Sequence, residues 1–353
     1  TARVHRFIEP RSVLCSDLKN NMLICGSFDG ELRQYPLNSS GLYRGSIEEL
    51  GFIDEAEWWQ GTNTTLGVCG KANSNTHSPL PATNSRFLQG EGSVPPVNCV
   101  AVMDCGLVGA GLRNNKVSIW DLSTPEPVRV AELQGHDKQV LSLCSVENGT
   151  GGGMVASGGA DRSVCVFDLN RSTERAVMRI SAAHRGVVNA ISSAQNSLAT
   201  AAGDGNIRIF DLRITGTDAS PETASAMIRA GSGLWPATCV QFGDERKHLV
   251  YCGAGDGGIR VLDLRMPESW VLQNTTCERA VTTLSTRGDR YACGTVEGGV
   301  LVFGLHDSTS EDVSLEVKVH ADRVSQVHLT ERSLISCSQD HSVVIHDFSP
   351  CLV

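Results

Sequence analysis

The chain has 353 residues, of which 41% are hydrophobic and 20% are charged, a balance that is ordinary for a fully folded protein and excludes global disorder. This length allows two ordinary domains or one large all-β assembly. The net charge of −9 disfavours a broad surface for nucleic acid or anionic membranes, and no run of 18 apolar residues predicts a membrane span.

A strand–turn–strand unit recurs seven times along the chain. When the copies are aligned on the acidic or amide residue that closes the turn, a small residue stands four positions earlier and an aliphatic residue three positions later. Asp and Asn suit such turns because their side chains accept hydrogen bonds from nearby backbone amides. The aligned turn residues are, in chain order, Asp29, Asn114, Asp161, Asp204, Asp256, Glu297 and Asp340.

Each unit ends in a strand that is buried on one face. Residues Ile207-Arg208-Ile209-Phe210 illustrate the period-two alternation that predicts such a strand. Another short apolar strand precedes every hairpin, and no helix-period segment competes with this pattern. These strands begin near Val13, Val97, Val140, Val187, Thr238, Val281 and Val324. About four strands fit each repeat, because the turn residues lie 41 to 52 positions apart except for one interval of 85.

This frame resembles the WD40 repeat, and the resemblance covers nearly the whole chain. The clearest copies are residues 135–168, 183–211 and 320–347. The resemblance implies an all-β fold, a single seven-bladed β-propeller over residues 1–353. In this family the N-terminal strand commonly completes the last blade. Residues Arg3–Ile8 are expected to close the ring in this way, which leaves no open edge.

The family's blades contain a hydrogen-bonded network of a loop His, a strand Ser or Thr, the turn Asp and a strand Trp. The resemblance assigns three of these four members in three copies, in which Phe167, Phe210 and His346 replace the Trp. Because the set recurs once per blade, we interpret it as a structural network around a neutral His and not as a catalytic or metal site. Its residues are His136, Ser157 and Asp161; His184, Thr200 and Asp204; and His320, Ser336 and Asp340.

The 85-residue interval predicts an insertion over residues 38–85, between the third and fourth strands of blade one. Residues 87–91 match residues 132–136 and therefore resemble the outer strand of that blade. The first half of the insertion is acidic and aromatic, with Trp58 and Trp59, and the second half is rich in Ser, Thr and Asn. The two Trp side chains either pack on the side wall of the propeller or form a clasp for a partner. A degenerate eighth blade would also fit the length.

Asp-Leu-Arg occurs at the end of two neighbouring repeats, in Asp211–Arg213 and Asp263–Arg265. Similar boxes mark WD40 substrate receptors that dock on the propeller adaptor of cullin ubiquitin ligases. The planar guanidinium of Arg213 or Arg265 could pair with a partner's carboxylate. Alternatively, each Arg caps the end of its own strand.

The resemblance implies a non-enzymatic scaffold or adaptor that presents loops of one propeller face to other proteins or peptides in a multiprotein complex. We expect a monomeric propeller with no catalytic residue, cofactor or metal and no direct contact with nucleic acid. The candidate partner-binding residues flank the turns or precede a first strand, where aromatic and Arg side chains dominate interface energies. They are Phe28, Arg113, Arg162, Trp235, Arg323 and His341.

The 13 cysteines do not suggest a disulfide framework. Their number is odd, no C-x-x-C occurs, and most lie within alternating apolar runs. They are typical of small buried hydrophobic residues in a reducing compartment. Since the first residues also lack the apolar run of a signal peptide, we expect a cytoplasmic or nuclear protein.

Overall fold

The computed structural model of the protein describes residues 2–9, 11–19, 21–37, 48–53, 65–67, 95–103, 106–121, 128–146, 153–171, 173–213, 224–230, 235–266, 270–274, 277, 279–305 and 313–348. The regular secondary structure of these residues consists of β-strands. No helix within the described ranges is long and apolar enough to cross a membrane.

The strands form seven sheets, the blades, which follow one another along the chain. Blade one contains β2 (Val13–Lys19), β3 (Met22–Ser27) and β4 (Leu32–Pro36). Blade two contains β7 (Val97–Val102), β8 (Leu107–Leu112), β9 (Lys116–Asp121) and β10 (Val128–Gln134). Blade three contains β11 (Val140–Val146), β12 (Met154–Gly159), β13 (Val164–Asp168) and β14 (Met178–Ile180). Blade four contains β15 (Val188–Ala194), β16 (Ser197–Ala202), β17 (Asn206–Asp211) and β18 (Ala224–Arg229).

The remaining three blades have the same antiparallel order. Blade five contains β19 (Ala237–Phe242), β20 (Leu249–Ala254), β21 (Ile259–Asp263) and β22 (Trp270–Asn274). Blade six contains β23 (Val281–Arg287), β24 (Arg290–Thr295), β25 (Gly299–Gly304) and β26 (Val313–Lys318). Blade seven contains β27 (Val324–Leu329), β28 (Ser333–Ser338), β29 (Ser342–Asp347) and the N-terminal strand β1 (Ala2–Ile8).

The first strands of the blades form the inner wall of a ring. Strands β2, β7, β11, β15, β19, β23 and β27 contact one another in sequence, and β27 contacts β2. The N-terminal strand β1 pairs antiparallel with β29, with Arg3 opposite Asp347 and Ile8 opposite Ser342. Blade seven therefore takes strands from both ends of the chain. This is the position expected for Arg3–Ile8, and its hydrogen bonds join the two ends of the ring.

Small residues in the second strands explain how the blades pack on one another. A Cβ atom at Gly158 would lie 2.5 Å from Val188 Cγ1, which belongs to the first strand of the next blade. The same contact recurs at Gly26, Gly111, Gly253 and Gly294, each against the Val that opens the next first strand. The Gly in the second strand of one blade and the Val that opens the next blade are therefore a packing pair between neighbouring blades.

Side-chain hydrogen bonds cross every junction between blades. Around the ring they join Asp17 to Val102 N (2.6 Å), Asn98 to Val140 O (2.9 Å), Ser193 to Ser145 O (2.5 Å), Asn189 to Ala237 O (2.8 Å), Thr286 to Asp244 N (3.2 Å), Thr282 to Val324 O (2.7 Å) and Ser16 to His328 (2.9 Å). The last bond connects blades one and seven. Burial lowers the pKa of His328 to about 4, so this ring is neutral at pH 7.

The predicted insertion over residues 38–85 lies mostly outside the described residues. Its strand β5 (Glu48–Ile53) pairs antiparallel with β1 at the outer edge of blade seven. Its strand β6 (Thr65–Gly67) pairs parallel with β26 at the outer edge of blade six. Both strands extend existing blades, and the described residues form seven sheets with no eighth.

Candidate protein-interaction face

One face of the ring carries the turns between the second and third strands together with the residues directly before the first strands. We call it the turn face. In every blade a backbone N–H next to the turn donates to a carbonyl just ahead of the first strand, so the two sets of loops hold each other in place. These bonds of 2.9–3.3 Å run from Phe28 to Ser12, Arg113 to Pro96, Ala160 to Gln139, Gly203 to Val187, Gly255 to Pro236, Val296 to Ala280 and Gln339 to Arg323.

The residue after each turn position has a left-handed backbone conformation, which favours glycine. The seven residues are Gly30, Asn115, Arg162, Gly205, Gly257, Gly298 and His341, with φ between 66° and 84°. Asn115, Arg162 and His341 carry a Cβ atom in this region; Asn tolerates it well, whereas Arg162 and His341 hold it at a cost of about 1–3 kcal/mol each. Strain of this kind concentrates at functional loops, which is consistent with Arg162 and His341 as candidate binding residues. His341 also contacts Ser12 across the junction between blades seven and one, at 3.3 Å.

The loop His of blade three connects three parts of its blade. His136 Nε2 lies 2.7 Å from Ser157 Oγ, and its Nδ1 lies 3.0 Å from Asp161 Oδ1. Asp161 also accepts backbone N–H bonds from Asp137 in the loop and Ser163 after the turn, at 2.9 and 3.1 Å. The turn residue therefore fastens the loop, the turn and the His ring at once.

Blades four and seven repeat this network. His184 Nε2 lies 2.7 Å from Thr200 Oγ1 and its Nδ1 lies 3.3 Å from Asp204. His320 Nε2 lies 2.8 Å from Ser336 Oγ, and its Nδ1 lies 3.5 Å from Asp340. The residues that replace the family's Trp, namely Phe167, Phe210 and His346, are all buried.

The His136 network is charged, whereas the sequence analysis expected a neutral ring. Burial by itself lowers the pKa of His136, but the hydrogen bond to the Asp161 carboxylate outweighs it and the pKa is raised to about 9. Burial correspondingly opposes ionisation of Asp161, yet its bond with His136 holds the pKa of that carboxyl well below its usual range. The pair is therefore a buried ion pair at pH 7, still within one blade.

Blade one fills the place of the loop His with an acidic residue, which the sequence analysis missed. Glu9 is buried and binds both the Arg33 guanidinium and the Tyr35 hydroxyl. Burial and the Glu9 charge raise the pKa of the Tyr35 phenol, which stays protonated and donates. Its position in the repeat could have identified Glu9, because Glu9 stands four residues ahead of the first strand of its blade, as His136 does.

Blade six uses two thiols at the same positions. Cys277 stands four residues ahead of β23 and its Sγ lies 3.8 Å from Sγ of Cys293, which takes the place of Ser157. Both side chains are buried. The contact with Cys277 and burial raise the pKa of the Cys293 thiol. All ten cysteines in the described ranges are free.

The candidate aromatic residues are exposed on the turn face. Phe28 is 53% exposed and Trp235 is 54% exposed. The Arg113 guanidinium lies over the Phe28 ring, 5.3 Å from its centroid, in a cation–π contact between blades one and two. Val187 and Val296, which the sequence analysis did not select, are also exposed on this face. The structure thus brings Phe28, Arg113, Arg162, Trp235, Arg323 and His341 to one face.

Arg213 and Arg265 lie on the opposite face, because each follows the third strand of its blade. Leu212 and Leu264 bond there to the turns between the first and second strands. The Arg213 Nε lies 2.9 Å from Asp211 Oδ1, and the Arg265 Nε lies 3.0 Å from Asp263 Oδ1. Both Arg side chains are largely exposed. Each arginine therefore caps its own strand while remaining accessible.

An open cavity of about 850 Å³ lies on this opposite face, between blades one, five, six and seven. Its lining includes Arg287, which pairs with Asp244 and with Glu331. No group of three His, Cys, Asp or Glu side chains that could hold a metal occurs in the part of the chain that the structure describes. Trp58, Trp59 and residues 87–91 lie outside that part, and their predicted roles stay predictions.

A comparison with protein families agrees with this architecture. The sequence profile of the WD40 family, described as WD domain, G-beta repeat, matches residues 127–168 and 176–211, which run from β10 to β17. No curated protein matches the chain. WD40 propellers are generally scaffolds for protein interactions. Residues 127–168 and 176–211 are WD40 repeats, and together with the seven-bladed ring they support a WD40 repeat protein.

Proposed function

We propose that this chain is a non-enzymatic scaffold or adaptor that presents its turn face to protein partners within a multiprotein complex. The observation that carries the proposal is the exposure of Phe28 and Trp235 on that face, together with exposed arginines. Aromatic and Arg side chains are enriched at the centres of protein interfaces.

The rigidity of the loops supports this function. The bonds from His136 to Ser157 and Asp161, repeated in blades four and seven, hold the loops of the turn face on the blades. Loops on a rigid framework keep their interface side chains in place and lose little conformational entropy when a partner binds. We also propose that the propeller acts as a monomer and that it works in the cytoplasm or nucleus. The free thiols of the described residues support a reducing compartment.

The test is capture of partners from native lysate with wild type and with the variant Phe28→Ala, Trp235→Ala. The matched control is Met227→Ala, a 61% exposed apolar residue on the outer strand β18. We expect the double variant to lose specific partners that wild type and the control retain. Identical partner sets for all three proteins would contradict a role for the turn face.

The second candidate function is that of a substrate receptor of a cullin-RING ubiquitin ligase. It is favoured by the exposed arginines Arg213 and Arg265, which stand at the same position of neighbouring blades. Their bonds to Asp211 and Asp263 favour the strand-capping alternative. The variant Arg213→Glu, Arg265→Glu separates the two. Copurification of the ligase's propeller adaptor with wild type alone would support a receptor, and its absence from both samples would exclude this candidate.

A further inference from the structure

We propose that the turn face binds an acidic segment of a partner protein and that a large apolar side chain of this segment docks beside Val187 and Trp235. The inference rests on the proposed scaffold function and specifies the chemistry of the partner. Three observations lead to it: the charges left exposed on the face, an exposed apolar patch in blades four and five, and the close backbone packing beneath that patch.

The turn face presents cations although the chain as a whole is acidic. Five exposed cationic side chains stand there, in blades two, three, four and seven, and form no ion pair with any residue that the structure describes. They are Arg113, Lys138, Arg162, Arg185 and Arg323. A chain with a net charge of −9 thus has unpaired positive charge concentrated on one face.

The carboxylates of the same face are largely engaged within the blades. Asp161, Asp204 and Asp340 bind the loop His of their own blades. Glu297 pairs with Arg279, and Asp137 pairs with Arg179. Exposed Asp322 caps the backbone N–H of Arg323. The face therefore complements a negatively charged partner, and the planar Arg side chains suit its carboxylates.

An exposed apolar patch, formed by Val187 and Trp235, lies within this cationic surface. Gly203 and Gly255 occupy the positions that Phe28 and Arg113 hold in blades one and two, so blades four and five have no side chain there. A Cβ atom at Gly203 would lie 3.5 Å from Val187 Cγ2, and one at Gly255 would lie 3.0 Å from Pro236 Cδ and 3.4 Å from Trp235 Cε3. No side chain at position 203 or 255 therefore covers the exposed Val187 and Trp235.

The backbone beneath this patch is closely packed. A Cβ atom at Gly205, where φ is +77°, would lie 2.7 Å from the Trp235 carbonyl oxygen, so the backbone of Trp235 lies directly on the turn of blade four. Pro236 follows and restricts the backbone. An apolar side chain that packs on this patch removes exposed apolar surface from water.

The acidic and aromatic part of the chain's own insertion is not the occupant we propose. Its strand β5 pairs with β1 so that Ile53 lies opposite Ala2. Ala2 is at the end of β1 far from Glu9, whose N–H bonds to the turn residue His341. Ile53 therefore lies near the opposite face, and we assign the turn face to a partner protein.

The test uses a displayed library of random 14-residue peptides, selected on the full chain. Binding of the selected peptides is then measured by fluorescence anisotropy at low and high salt. We expect peptides with several Asp or Glu residues and one Phe, Leu or Trp. The variant Arg162→Glu, Arg185→Glu should weaken their binding at least tenfold and reduce its dependence on salt. Trp235→Ala should weaken binding about tenfold and leave the salt dependence unchanged.

The matched control is Arg171→Glu, Arg332→Glu, which reverses two exposed charges outside the turn face and should change affinity less than twofold. Neutral or basic selected peptides, a library without binders, or binders that tolerate both turn-face variants would overturn the inference. Stronger capture of a peptide of residues 48–60 than of any library peptide would also overturn it, in favour of the chain's own insertion. Lysate partners lost with Phe28→Ala, Trp235→Ala but retained by Arg162→Glu, Arg185→Glu would leave the scaffold function intact and refute the acidic partner.

Discussion

The contact between Gly158 and Val188 makes the packing of neighbouring blades testable. A Cβ atom at position 158 would lie 2.5 Å from Val188 Cγ1 and 2.7 Å from Ser142 Oγ, about 1 Å inside the optimal separation. Overpacking of this size costs about 1–3 kcal/mol, so Gly158→Ala should lower the free energy of unfolding by that amount.

Blade four shows how the sequence relieves the same contact. Ala201 stands there in place of the Gly, opposite Ala190, and blade five opens with Ala237 in place of Val. Val188 is fully buried, and Val188→Ala alone should cost about 2–3 kcal/mol. If the steric contact is the cause, adding Gly158→Ala to Val188→Ala should cost about 1–2 kcal/mol less than adding it to the parent protein.

The assay is urea unfolding followed by circular dichroism. It compares four proteins that all carry Ser142→Ala: the background itself, Gly158→Ala, Val188→Ala and the combination of the two. That background removes the second contact, as Ala190 does in blade four. The control is Gly203→Ala, whose Cβ atom would meet nothing closer than 3.5 Å and should change stability by less than about 0.5 kcal/mol. If the costs of Gly158→Ala and Val188→Ala add within about 0.5 kcal/mol, the steric argument is refuted. A cost of Gly203→Ala as large as that of Gly158→Ala would also refute it.

Three further predictions concern single side chains. Arg162→Gly should raise the free energy of unfolding by about 1 kcal/mol in urea titrations, because it removes a left-handed non-glycine residue; a loss of stability would show that the side chain supports the fold. The pKa of His136 is about 9 in the folded chain against 6.5 ordinarily. Its contribution to the free energy of unfolding, about 1–3 kcal/mol, is therefore complete below pH 6.5 and is lost as the pH rises through 9. His136→Gln should remove this part of the loss of stability at alkaline pH, and an unchanged pH dependence of the free energy of unfolding would contradict the ion pair. The pKa of His328 is about 4 in the folded chain against 6.5 ordinarily, so its contribution to the free energy of unfolding is complete above pH 6.5 and falls by about 2 kcal/mol between pH 6.5 and 5. In unfolding titrations His328→Gln should reduce this loss of stability, and a steeper loss would contradict a buried neutral His328.

The repeat could be predicted because its determinants lie close together in the sequence. The Asp161 turn, the alternating strand that follows it and the small residue Gly158 each report a local backbone or packing requirement. Seven copies in one frame then fixed the number of blades. The face that carries Phe28, Trp235 and Arg323 followed from the same frame, because equivalent loops of every blade end on the same side.

What the sequence alone did not reveal depends on contacts between distant segments. Glu9 meets Arg33 and Tyr35 only after the N-terminal strand has joined the last blade, and β5 finds its partner at the edge of that blade. The tertiary structure also decided which charges are neutralised: Arg279 pairs with Glu297, whereas Arg162 keeps no ionic partner among the described residues. The sequence by itself determined the strands, the turns and their sevenfold order, because these arise from residues a few positions apart. The ring decided the partners of buried and exposed charges, because it brings together side chains from opposite ends of the chain.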